Sequence, residues 1–177
     1  RPGQEEQQRL RDQMEARPIE FLGRQLESRL DEAREQLAEF VQCDAQDLAF
    51  VPNATYGVNS VLRSLDLQPG DEILVTDHEY NACRNVVDYV AERHQAKVVV
   101  VALPFPLQLS DLIVEPLLAA VTSHTRIVLM DYVTSPTALV LPLMELVPKL
   151  RAFGVLTLID GAHSPGLLDL DLRHIHA

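Results

Sequence analysis

Cysteine is scarce in this chain: there are two among 177 residues. Cys43 and Cys83 are too few and too widely separated for a disulfide framework or a zinc site. Two reduced thiols are what a cytoplasmic protein carries, so the cytoplasm is the expected compartment. Positive charge is also in short supply. Fifteen Lys and Arg face 26 Asp and Glu, for a formal net charge of −11. With no basic patch interleaved with aromatics, neither nucleic acid nor an anionic membrane is expected as the main partner. No apolar run is long enough to cross a bilayer, and the polar start RPGQEEQQRLRDQ resembles no secretory signal. There is no GxxxxGK[ST] and no GxGxxG, so no ordinary nucleotide loop. The GxSxG elbow of the α/β hydrolases is missing too, as are internal repeats and low-complexity linkers.

What is present is an ordinary globular balance, 47% apolar and 23% charged, enough for one good core. Residues 1–47 form a helical segment rich in Glu, Gln and Arg. Leu22, Leu26, Leu30, Leu37 and Phe40 fall at helical spacing, which predicts one helix from about Pro18 to Val41 and a shorter one before it. From residue 48 the pattern changes. LAFVPNAT reads as a short strand ending at Pro52 and Asn53, and Thr55–Leu65 as a helix. Strands are expected at Glu72–Asp77, Lys97–Leu103, Arg126–Val133 and Leu156–Asp160. Helices are expected at Asn81–His94, from a cap at Ser110 to about Ser123 with Pro116 bending it or delaying its start, and at Pro142–Gly154, closed by the glycine. This alternation predicts a three-layer α/β/α domain over 48–177 with a mostly parallel sheet.

Four stretches carry candidate chemistry, each expected beyond the carboxyl end of a strand, where ligands bind in such folds. Asn53-Ala54-Thr55 opens a helix, whose free N–H groups suit a phosphate; the same residues would equally cap the helix. Tyr80, in HEYNA, could cover the face of a planar ligand or fill a crevice at the sheet edge. Ser135, in VTSPT, could donate to a ligand oxygen or simply belong to a turn. Asp160, where the apolar strand LTLID meets GAHSPG, suits a cationic partner such as a protonated ring nitrogen. His163 lies three residues on. A phosphate site, a ring face, a donor for a phenolic oxygen and a partner for a cationic ring nitrogen together describe pyridoxal phosphate.

The order FVPNAT, PGDEILVTDHEYNA, TSPTALVLPL and LIDGAHSPG resembles the class V aminotransferase family of fold-type I pyridoxal-phosphate enzymes, and within it the isopenicillin N epimerase-like branch more than the cysteine desulfurases. The resemblance covers about residues 18–177. It implies that Ala54 and Thr55 bind the cofactor phosphate, that Tyr80 stacks on the ring and that Ser135 lies near the phenolic oxygen. It further implies that Asp160 pairs with the pyridine nitrogen and that His163 stands beside the ring as a catalytic proton carrier. The implied activity is on an amino acid through an external aldimine, in a homodimer. Members hold the cofactor on a Schiff-base lysine some tens of residues after the Asp. The two lysines here, Lys97 and Lys149, precede Asp160 and do not fit that place. The expectation is therefore an incomplete large domain, truncated before that lysine and inactive by itself. Two alternatives stand beside the epimerase-like reading: a desulfurase or lyase of the same family, and a non-catalytic α/β module that binds a phosphorylated ligand.

Overall fold

The computed structural model describes residues 2–106 and 111–175, the side chains of 111 and 112 excepted. The expected cap at Ser110 lies outside the described residues. The chain divides into two compact units, Arg1–Ala49 and Phe50–Ala177.

The first unit is helical: α1 (Pro2–Ala16), a single turn α2 (Pro18–Glu20), a π segment at Phe21–Gln25 and α3 (Leu26–Val41). Helix does run from Pro18 to Val41, with a register change through the π segment. Pro18 supplies the preset φ of a helix start. Arg29 crosses back over the Phe21 ring at 4.9 Å. The segment before Pro18 is a full 15-residue helix.

The second unit is a four-stranded parallel sheet, β1 (Glu72–Thr76), β2 (Lys97–Val101), β3 (Thr125–Asp131) and β4 (Leu156–Asp160), in the order β2-β1-β3-β4. Its helices are α4 (Ala54–Ser64), α5 (Asn81–His94), α6 (Asp111–Ala119), α7 (Leu143–Ala152) and the short α8 (Leu172–Ile175). Side chains alternate between the two faces of a strand, and each face has its own core. Ile73, Val75, Ile127 and Leu129 pack with Val58 and Leu62 of α4 and with Val87 and Val90 of α5. Leu74, Val128 and Met130 pack with Ile113 and Leu117 of α6 and with Leu146 and Leu150 of α7. The sheet is thus the middle layer of three.

Two expectations fail. Leu48–Val51 is not a strand. Its β-type residues are largely exposed, and extended structure needs a partner strand that this stretch does not meet. The helix after 110 stops at Ala119 rather than near Ser123. Thr122 and Thr125 draw the chain into a hydroxyl-bonded turn: Thr122 N–H donates to Thr125 Oγ1 (2.9 Å) and His124 N–H to Thr122 Oγ1 (3.1 Å). Pro116 lies inside the helix. Gly154 closes α7 as expected, at φ +74°.

Candidate functional site

Parallel strands aim their carboxyl ends at one edge, and the site is built there. Asn53 caps α4: its Oδ1 accepts the Tyr56 N–H at 2.8 Å, and its carbonyl accepts the Gly57 N–H at 3.2 Å. The Ala54 and Thr55 N–H groups, in the first turn, are left with no acceptor within the helix. The capping alternative is thereby met by Asn53, and Thr55 is not needed for it. No strand precedes this helix, so three strand ends and one helix N-terminus build the site.

After β1 the chain turns through Asp77–Tyr80. Asp77 ties back the end of β2, its Oδ1 accepting the Leu103 N–H at 2.9 Å. Buried His78 shares a 2.7 Å hydrogen bond with Thr137 Oγ1, itself 2.8 Å from Thr134 Oγ1. Those two threonines hold the turn after β3, and Thr134 Oγ1 also accepts the Leu139 N–H. Ser135 between them stays exposed. The turn reading of VTSPT thus holds for Thr134 and Thr137, and Ser135 is left exposed at the cavity.

Asn53, Ala54, Thr55, Tyr80, Asp131, Val133, Ser135, Asp160, Ala162 and His163 line one open cavity of about 400 Å³. All six residues singled out in the sequence, Ala54, Thr55, Tyr80, Ser135, Asp160 and His163, meet in it. Tyr80 is 42% exposed, which leaves its ring available at the rim. Asp160 is buried. Its Oδ1 accepts the Ala162 N–H (3.0 Å) and its Oδ2 the Cys83 Sγ–H (3.2 Å).

Three groups around Asp160 were not singled out in the sequence: Asp131, which lines the cavity, and Glu79 and Cys83, buried beside Asp160. Asp131 and Asp160 are paired in register across β3 and β4. They follow Leu129 and Leu158 by two residues, so both side chains point to the α4–α5 face. Glu79 reaches the same place from the turn after β1, and Cys83 from the first turns of α5. Burial, then the negative charges of Asp131 and Asp160, pushes the Glu79 carboxyl up to about 9. Burial also raises Asp131, against the opposing effect of its hydrogen bond with Glu79. The Cys83 thiol, fully buried, is pushed up to about 12 by desolvation first and then by Asp160. Glu79, Cys83 and Asp160 offer ligand atoms within 4.8 Å of one another. A metal needs its ligands deprotonated, whereas at neutral pH Glu79 and Cys83 both hold their protons. The signal for Asp131 was present in the sequence: RIVLMD is an apolar strand running into an Asp, as LTLID is. Glu79 had no local signal beyond its position next to Tyr80.

This layered sheet with a cleft at its carboxyl edge is the fold-type I architecture. The second unit's topology is shared with solved structures of C-DES. One is a C-DES mutant with glycine covalently linked to the PLP cofactor (TM-score 0.79, 27% identity, covering 88% of this chain and 41% of that one). Another is the cystine C-S lyase C-DES with its reaction product cysteine persulfide (TM-score 0.80, 27% identity, 88% and 42% covered). The chain belongs to the Aminotransferase class-V family, which it matches over residues 7–177. It is 44% identical over 167 residues to isopenicillin N epimerase of Amycolatopsis lactamdurans (92% of this chain, 42% of that protein). To isopenicillin N epimerase of Streptomyces clavuligerus it is 40% identical over 166 residues (93% and 42%). To a putative L-cysteine desulfhydrase of Oryza sativa subsp. japonica it is 31% identical over 177 (92% and 37%). The chain spans about two-fifths of the length of these curated relatives. Among the described residues, no helix is long and apolar enough to cross a membrane.

Proposed function

We propose that this cavity is a pyridoxal 5'-phosphate site of an enzyme acting on amino acids, epimerase-like in its chemistry. The observation that carries the reading is the convergence of six residues, drawn from separate stretches of chain, on one cavity. The residues present suit the cofactor. The α4 N-terminus offers unbonded N–H groups and the Thr55 hydroxyl to a phosphate. Tyr80 offers a ring face. Asp160 offers a carboxylate to a cationic nitrogen. Bound there, pyridoxal phosphate supplies an electron sink for bonds to the substrate's Cα.

The roles of the chain's own residues follow from their chemistry. Ala54 and Thr55 anchor the phosphate. Tyr80 covers the ring and excludes water from one side. Asp160 holds the proton on the ring nitrogen. Ser135 donates to the phenolic oxygen, and His163, at the open edge, moves a proton to or from the substrate. The full-length protein works as a homodimer, a reading supported by the exposed apolar residues Ile19, Leu22 and Phe40 of the helical unit, and in the cytoplasm, a reading supported by the two free thiols. The likeness to C-DES and to a desulfhydrase favours a second reading, carbon–sulfur lysis on the same cofactor frame.

The test is to purify the full-length protein with pyridoxal phosphate and record its near-ultraviolet and visible absorption before and after borohydride. A retained cofactor band that borohydride abolishes is the expected result. A protein that retains no cofactor overturns the reading. Substrate screening with amino acids and cysteine then separates epimerase from lyase.

A further inference from the structure

Two buried carboxyl groups, Asp131 and Asp160, line the cavity, and a third, Glu79, is packed beside Asp160 behind them, each at most 9% exposed. Asp131 and Asp160 are direct cross-strand neighbours on one face. Like charges placed this way repel, and here they do so away from water. The donors that reach the two Asp side chains are the Ala162 N–H and Cys83 Sγ–H on Asp160 and, on Asp131, a long 3.4 Å contact from the Ser135 N–H together with the Tyr80 N–H. Among the described residues, both oxygens of Glu79 and the Oδ1 of Asp131 are buried without a well-formed hydrogen bond if all three groups are ionised, the Tyr80 N–H contributing only weakly. Buried polar atoms in folded proteins are satisfied. A single proton between Glu79 and Asp131 gives one oxygen of each a partner and removes one of the three charges.

We propose that Glu79 is a positioning residue for Asp160. It holds a proton against Asp131, so that Asp160, steadied by the Cys83 thiol, is the carboxylate presented to the cofactor's ring nitrogen. The direction of the Glu79 shift agrees with this, since the hydrogen bond raises Glu79 and lowers Asp131, as a bond donated by Glu79 does. The buried thiol keeps its proton and donates it to Asp160. The groups facing Glu79 are Asp131, Asp160, Cys83 and the Tyr80 backbone. The inference rests on the cofactor reading above, and its test separates the two.

Infrared difference spectra of the cofactor-free full-length protein at neutral pH should contain the carbonyl band of a protonated carboxylic acid, and Glu79→Gln should remove it. An amide can donate to Asp131 as the acid does, so Glu79→Gln should retain pyridoxal phosphate affinity close to that of the parent. Glu79→Ala, which leaves Asp131 without that donor, should weaken affinity roughly threefold to tenfold, the range for one lost hydrogen bond. Cys83→Ala should do the same and Cys83→Ser should restore binding. The inference is overturned if no Glu79-dependent acid band exists, or if the Gln variant binds as weakly as the Ala variant. The infrared result decides the matter even if Glu79→Ala does not fold. A protein with the acid band that binds no pyridoxal phosphate overturns the cofactor reading, and with it the positioning role. One that binds the cofactor without the band overturns only the present inference.

Discussion

At the residue scale the carboxyl cluster at the cavity makes a prediction about stability as well as binding. Glu79 has an ordinary value of 4.5 and is pushed up to about 9 in the folded chain. Between those values the folded state holds a proton that the unfolded state has released. The contribution of Glu79 to stability is therefore fully present at and below the lower value and is lost as pH rises towards the upper one, by up to about 1.4 kcal/mol per pH unit. Asp71 does not blur the slope. The Gln68 N–H, then the Arg126 guanidinium, hold it below the usual carboxylate range, so its effect lies at acid pH. Cys83 acts only above its ordinary value of 9.0. Urea unfolding at a series of pH values should show Glu79→Gln with a flatter profile between pH 5 and 9, the two end points being about those of the Glu79 shift. Parallel profiles for the two proteins would show that Glu79 is ionised in the fold. The place of Asp160 at the cavity was legible in the sequence because an apolar strand running into a carboxylate fixes where that carboxylate stands. Glu79 was not, because the charges that act on it, Asp131 and Asp160, lie tens of residues away, and nothing in HEYNA announces them.

At the element scale, α4 separates two roles that its sequence left joined. Asn53 caps the helix through a 2.8 Å bond to the Tyr56 N–H. Thr55, two residues after the cap and lining the cavity, is proposed to meet the phosphate. Asn53→Ala should cost about 0.5–2 kcal/mol of stability. Thr55→Val should leave the thermal midpoint nearly unchanged and weaken pyridoxal phosphate binding roughly tenfold, as expected for one charge-assisted hydrogen bond. Calorimetry and cofactor titration on both variants check this, and a Thr55→Val protein with unchanged affinity removes Thr55 from the phosphate site. The end of α7 makes a simpler case. Gly154 sits at φ +74° with open space where a Cβ would go. Gly154→Ala therefore costs backbone strain alone, about 1 kcal/mol, read from the shift in urea midpoint. Elements with strong local signals were legible, such as α5, bounded as expected at Asn81–His94, and β4, at Leu156–Asp160. Leu48–Val51 was misread because a strand is made by its neighbour, and neighbours are not local. The early stop of α6 came from threonine hydroxyls competing for backbone N–H groups, a contest that hydrophobic periodicity does not record.

At the scale of the molecule, the residue 50–177 unit has two cores and one sheet between them. β3 is central, paired with β1 on one side and β4 on the other. Leu129 and Met130 are consecutive and fully buried, and they face opposite layers: Leu129 packs towards α4 and α5, Met130 towards α6 and α7. If each layer were a separate folding unit, emptying one core would lower one transition and leave the other in place. The shared strands argue otherwise, because neither layer of helices has anything to pack on once β3 is lost. Leu129→Ala and Met130→Ala should each destabilise the unit by about 2–5 kcal/mol and should each shift the same single transition. Unfolding followed by circular dichroism and by amide hydrogen exchange on both faces checks this. Coupled cores matter for the site, because the carboxyl ends of β1, β3 and β4, which set its residues, belong to both. Two transitions, each sensitive to only one substitution, would mean that one face can open while the other keeps Asp131 and Asp160 in register.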